Sequence, residues 1–179
     1  MAQRVTCFAA SSSRNSINRQ LVSYVASLVE DAAVEVLDLN DYELPLFSVD
    51  REAELGQPAL AQAFLDKLQQ SDALIISFAE HNGCYSAAYK NLYDWVSRIQ
   101  PKVYQHKRML LLATSPGGRG GRSVLELALQ QIPRFGGEVR GSVSVPSFAD
   151  NFDVERGVIT NADIDAQIRV ALEALLRDE

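Results

Sequence analysis

Two short stretches limit the fold more than anything else in the chain. Residues 73–79 read ALIISFA and residues 108–114 read RMLLLAT. Each is far too short to span a bilayer, and neither shows the polar alternation of a strand with one wet face. Runs of this kind are strands covered on both sides, which places them at the centre of a parallel sheet flanked by helices.

The remaining elements fall around these two. RVTCFAA (4–10) is a β-rich run, AVEVLDL (33–39) alternates as a half-buried strand does, and EVRGSVSV (138–145) reads as a weaker last strand. Helical spacing connects them through Ile17, Leu21, Val25, Leu28 and Val29, then Leu60, Phe64 and Leu68, then Tyr89, Leu92, Tyr93 and Val96. It returns at Val124, Ala128 and Ile132 and again at Ile164, Ile168, Ala171 and Leu175. The stretch with Pro45 and Gly56 reads as a loop, and 147–160 as a surface flap or subunit contact. Strands alternating with helices specify an α/β fold: a doubly wound, five-stranded parallel sheet with helices on both faces. The length of 179 residues suits one domain over 1–179.

Sheets of this type take ligands beyond the carboxyl ends of their strands. Three loops therefore matter: those after the first, third and fourth strands. Charge narrows what they bind. The net charge is −6 and the basic residues are scattered, which argues against nucleic acid. No apolar run is long enough to cross a membrane, and no secretory signal is visible. Two cysteines, Cys7 and Cys84, form neither a disulfide framework nor a metal site, and fit a reducing cytoplasm.

The first loop, AASSSRNSIN, offers the hydroxyls of Ser11, Ser12, Ser13 and Ser16, the amide of Asn18 and the guanidinium of Arg14 at a helix start. Together with unpaired backbone N–H groups these suit a phosphate monoester. The alternative is a polar turn in which Asn15 or Ser16 caps the helix. A dinucleotide fingerprint would need glycines, which this loop lacks. A Cys-x5-Arg phosphatase would need its arginine at position 13, where a serine stands. The second loop carries Glu80, His81, Asn82, Gly83 and Cys84 and can present backbone groups to a flat ring. The third, TSPGGRGGRS (114–123), has glycines that permit close backbone approach but no P-loop lysine. No combination of residues forms a catalytic triad.

These three motifs resemble those of the NAD(P)H-dependent FMN reductase family, which includes chromate and quinone reductases of flavodoxin-like fold. The first family motif, Gly-Ser-x-Arg-x-x-Ser-x-Asn, is met by Ala10, Ser11, Ser13, Ser16 and Asn18, with Arg14 displaced by one. The second, Pro-Glu-Tyr-Asn followed by Lys-Asn and Asp-Trp, is met by Ala79 to Asn82, Lys90-Asn91 and Asp94-Trp95, with Ser86 replacing a later proline. The third, Ser-Pro-Gly-Gly-x-Gly-Gly, matches Ser115 to Gly121.

The resemblance implies that Ser11, Ser13, Arg14, Ser16 and Asn18 hold an FMN phosphate. Glu80, His81, Asn82, Gly83 and Cys84 would line the flavin ring, largely through backbone groups. Ser115, Pro116, Gly117 and Gly118 would close its other side. It implies hydride transfer from NADPH or NADH to FMN and electron transfer to a small acceptor such as a flavin, quinone, azo compound or metal oxyanion. It also implies a homodimer or homotetramer built around the second-motif helix, with Tyr85, Tyr89, Tyr93 and Trp95 at the interface or in the core. Two other readings stand beside it: a non-catalytic binding or scaffolding module with a degenerate flavin site, and a flavodoxin-type electron carrier.

Overall fold

The computed structural model describes residues 3–177. Its elements run in chain order as β1 (Gln3–Ala10), α1 (Ile17–Ser27), β2 (Ala32–Leu37), a 3-10 turn (Leu39–Tyr42), α2 (Val49–Leu55), α3 (Ala59–Gln70) and β3 (Ala73–Phe78). There follow β4 (Glu80–His81), β5 (Cys84–Tyr85), α4 (Ala87–Ile99), β6 (Arg108–Thr114), α5 (Arg122–Gln131), a second 3-10 turn (Ile132–Phe135) and β7 (Glu138–Val145). The chain closes with α6 (Phe148–Asn151), β8 (Phe152–Asp153), β9 (Val158–Ile159) and α7 (Ala162–Leu176).

Five strands pair in the order β2-β1-β3-β6-β7, and every pairing in that sheet is parallel. The two apolar runs are the neighbouring strands β3 and β6, as their sequences require. One face of the sheet packs against α3, α4 and α5 through Phe8, Leu74, Ile76, Phe78, Leu111 and Trp95. The other packs against α1 and α7 through Val5, Ile75, Leu110, Leu21, Val25 and Ile168. Each fully buried Leu, Ile or Phe contributes about 2 kcal/mol, so these layers carry most of the fold's stability.

Two expectations need correction, and the 147–160 segment gains detail. The segment between β2 and α3 is not all loop, because a 3-10 turn and α2 form within it; Ser48 caps α2 by accepting from the Arg51 N–H. The flap at 147–160 holds α6 and the two-stranded β8–β9 ribbon. β2 is exposed along most of its length rather than half-buried, because it is the sheet edge and α1 leaves Val34 and Val36 uncovered.

Register fixes where the loops lie. Ala10 sits beside Phe78 and Phe78 beside Ala113, so β1, β3 and β6 end at one level. Strand order reverses between β1 and β3, the place where doubly wound sheets open a crevice.

Candidate functional site

The first loop is built around its helix cap. Ser16 has extended backbone angles, and its Oγ accepts from the Arg19 N–H at 3.3 Å, which starts α1. Ser11 is buried, and its Oγ accepts from the Ser13 N–H at 3.2 Å, folding the serines into a tight turn. Ser12, Ser13 and Arg14 are exposed above it. The N–H groups of Ile17 and Asn18 have no partner among the described residues, nor do the hydroxyls of Ser12 and Ser13. A helix start with surplus donors and no acidic residue in its own first turn fits an anion.

Asn18 does something the spacing did not reveal. It is 3% exposed, its Oδ1 accepts from the Thr114 N–H at 3.1 Å and the Ser77 hydroxyl at 2.8 Å, and its Nδ2 donates to the Thr114 carbonyl at 3.2 Å. The amide expected among the phosphate ligands thus also ties the start of α1, beneath the loop, to the ends of β3 and β6.

The second loop is a hairpin. Glu80 pairs with Tyr85 and His81 with Cys84, and between them Asn82 and Gly83 take positive φ angles of 53° and 77°. Two successive left-handed residues make the tight turn for which Asn-Gly is the preferred pair. His81, Asn82 and Cys84 are exposed and Gly83 half-buried. Glu80 turns away from this edge: its Oε2 accepts from the Val124 N–H at 2.9 Å in the first turn of α5. The residue before α5, Gly121, has no side chain to cap the helix, and Glu80 supplies the missing acceptor.

Ser86 explains its own departure from the family pattern. Its hydroxyl donates to the Ala10 carbonyl at 2.8 Å and accepts from the Tyr89 N–H at 3.3 Å, so it caps α4 and ties it to the end of β1. The second members of the Lys-Asn and Asp-Trp pairs hold the scaffold in the same way, while Lys90 and Asp94 pair with each other on the surface. Asn91 donates to the Leu44 and Pro45 carbonyls and accepts from the Phe47 N–H, while the Trp95 indole N–H donates to Pro45. Trp95 and Tyr89 lie in the core and are unavailable to an interface; Tyr85 and Tyr93 are half-buried.

The third loop combines rigid and open positions. Gly120 has φ 59°, and a Cβ there would lie 2.8 Å from the Pro146 nitrogen and 2.9 Å from the Val145 carbonyl carbon. Gly117 and Gly118 have nothing within 4 Å of a built Cβ. A side chain at either position would therefore enter open space. Cys7 takes no part. It is buried in β1, and burial pushes its thiol up to about 12. No group of three or more metal-ligating side chains gathers among the described residues.

Parallel strands in this order, with three donor-rich or glycine-rich loops on the carboxyl edge, define a flavodoxin-like α/β protein with a crevice at that edge. Similarity to known proteins makes the class specific. Residues 3–150 match the NADPH-dependent FMN reductase family, and the chain belongs to that family. It is accordingly an NAD(P)H-dependent oxidoreductase that uses FMN.

An NADPH:quinone oxidoreductase of Arabidopsis thaliana is 30% identical over 136 residues, covering 74% of this chain and 67% of its own length. An NAD(P)H:quinone oxidoreductase of Solanum tuberosum is 28% identical over 173 residues, covering 90% and 85%. Among solved structures, the flavoenzyme NAD(P)H:(acceptor) oxidoreductase FerB of Paracoccus denitrificans superposes with a TM-score of 0.71 at 20% identity, covering 96% of this chain and 98% of that one.

Proposed function

We propose that this chain, acting as one flavodoxin-like domain, oxidises NAD(P)H at an FMN held by its three carboxyl-edge loops and passes the electrons to a small quinone-like acceptor. The observation that supports this best is the surplus of donors at the first loop, set beside the open glycines of the third. In this reading the start of α1, with Ser11, Ser12, Ser13 and Ser16, holds the phosphate by charge-assisted hydrogen bonds, and Arg14 adds a mobile positive charge. Asn18 acts from beneath by fixing the loop's height. The 80–84 hairpin and Ser115 to Gly118 present backbone to the two sides of the ring.

FMN, when bound, supplies the hydride acceptor and electron donor, which no side chain here provides. The protein's own work is placement. Glu80 locks the hairpin to α5, so the two ring-facing segments move as one piece. His81, exposed beside the turn, is available to exchange a proton with the acceptor. The quinone-like acceptor is argued from the named activities of the two plant relatives. No helix among the described residues is long and apolar enough to cross a membrane, and we place the protein in the cytoplasm.

We also propose self-association through the exposed apolar residues Leu46, Val49 and Leu55, since α2 buries no residue of its own. The functional experiment is NADPH oxidation by purified protein supplied with FMN and a benzoquinone. Turnover that needs both FMN and protein supports the proposal. Flavin binding without NADPH oxidation would support an electron carrier instead, and no flavin binding would support a degenerate module.

A further inference from the structure

The two arginines of the third loop have no part in holding the flavin. Gly120 and Gly121, between them, take positive φ angles of 59° and 70°, and the Arg122 N–H donates to the Arg119 carbonyl at 3.0 Å. The Cα atoms at the two ends of such a turn lie within about 7 Å of each other. The glycines thus set two guanidinium-bearing residues side by side at the start of α5. The loop that carries them is fixed to the end of β7. There the Ser147 N–H donates to the Gly117 carbonyl at 3.0 Å, and Ser144 Oγ donates to the Gly120 carbonyl at 2.9 Å.

Both arginines are exposed, and neither forms an ion pair among the described residues. The Arg119 guanidinium donates to Ser123 Oγ at 2.8 Å, a neutral partner that orients it without cancelling its charge. The first turn of α5 holds no acidic residue of its own, and Glu80, which caps it, spends Oε2 on the Val124 N–H. Two guanidinium groups brought this close repel when alone and gain from an anion between them. Their planar forks match the oxygens of a phosphate.

Position narrows the choice of phosphate. α5 packs on one face of the sheet and α1 on the other, and β3 lies between β1 and β6. The arginines therefore stand across the sheet from α1 and about 10 Å along its edge from the first loop, which makes theirs a separate anion site. Beyond the end of β2, on the opposite flank, Asp41 and Glu43 are exposed and would repel a polyanion.

We propose that Arg119 and Arg122 clamp the pyrophosphate of the nicotinamide coenzyme, and so bind NADH and NADPH alike. The choice of a dinucleotide rests on the electron-transfer reading above; the anion site rests on the paired arginines. Arg119 directly follows the Ser115 to Gly118 segment assigned to the flavin ring. The pyrophosphate is the charged group nearest the nicotinamide, which must meet that ring. The 2′-phosphate that distinguishes NADPH lies at the adenosine end, outside the clamp.

The test is oxidation of NADH, NADPH and dihydronicotinamide riboside, a hydride donor without phosphate, by the FMN-loaded full chain. Arg119→Gln and Arg122→Gln should each raise KM for both dinucleotides about ten-fold, with the loss falling on KM rather than kcat. The riboside's KM should not move. A loss confined to NADPH would overturn the pyrophosphate assignment, and an unchanged KM or an equal loss with the riboside would overturn the clamp. ADP-ribose, which carries the pyrophosphate without the nicotinamide, is titrated by calorimetry against the full chain with and without FMN. It should bind each variant about ten-fold more weakly than the parent. Absent flavin binding or turnover would count against the electron-transfer reading, while ADP-ribose affinity indifferent to both substitutions would overturn the clamp in either case.

Discussion

Asn18 meets the main chain of Thr114 as a neighbouring strand would. Its side-chain oxygen accepts from the Thr114 N–H at 3.1 Å, and its nitrogen donates to the Thr114 carbonyl at 3.2 Å, across 96 residues of sequence. With the Ser77 hydroxyl on the same oxygen, one amide sets the relative height of all three loops. Asn18→Ala would leave these buried groups unpaired, at a cost of about 2–4 kcal/mol. A fall in the urea midpoint, accompanied by weakened FMN binding, is the expected outcome.

Glu80 links the second loop to the first turn of α5, which follows the third loop, through Val124. Glu80→Ala removes the only side-chain acceptor seen at the start of α5 among the described residues, and should cost about 1 kcal/mol. Glu80→Gln retains an acceptor oxygen and should recover most of that loss. Thermal melts and turnover of the two variants together distinguish capping from a role in the chemistry, because a proton-transfer role would make Gln as damaging as Ala to turnover while the melts still differ.

The glycines of the third loop divide into two kinds. Gly120→Ala would force a Cβ against the backbone of Val145 and Pro146 at a positive φ, and should destabilise the fold by a few kcal/mol. Gly117→Ala meets nothing in the protein and should leave the melting temperature almost unchanged. If the ring lies against Gly117, FMN affinity nevertheless falls in that variant. Comparing melts with flavin titrations reads the two effects separately.

Alkaline pH should weaken the fold. Burial lifts the Cys7 thiol from its ordinary value near 9 to about 12. Between these values the unfolded chain has lost a proton that the folded chain keeps, so stability falls as pH rises, by up to about 1.4 kcal/mol per pH unit for this group. Below pH 9 the thiol is protonated in both states and contributes no slope. Tyr85, raised to about 12 by burial, acts in the same direction from pH 10 upward, and by less because it is partly exposed. Urea midpoints at pH 8 and pH 10.5 should therefore differ, and Cys7→Ala should narrow the difference.

The sheet was legible because β3 and β6 are apolar on both faces, and their runs cannot be read another way. The alternation in β2 implies burial of one face, whereas an edge strand that no helix covers stays wet. The hairpin was hidden by strands of two residues each, too short to show a period, although Asn82-Gly83 is the strongest local turn signal in the chain. Glu80 and Asn18 show the deeper limit. Their residue types suit ligand binding and capping equally well, and only contacts 44 and 96 residues away decide their use. Ser86, Asn91 and Trp95 behave likewise, as positions of a functional motif whose side chains are spent holding the scaffold.

The grip of the first loop on a phosphate is the claim on which the rest depends. It is tested most directly by titrating the flavin-free protein with FMN and, separately, with riboflavin, which carries the same ring without the phosphate. Several charge-assisted hydrogen bonds, each worth about 1.5–3 kcal/mol, should make FMN bind at least about a hundred-fold more tightly. Equal affinities for the two flavins would contradict the account.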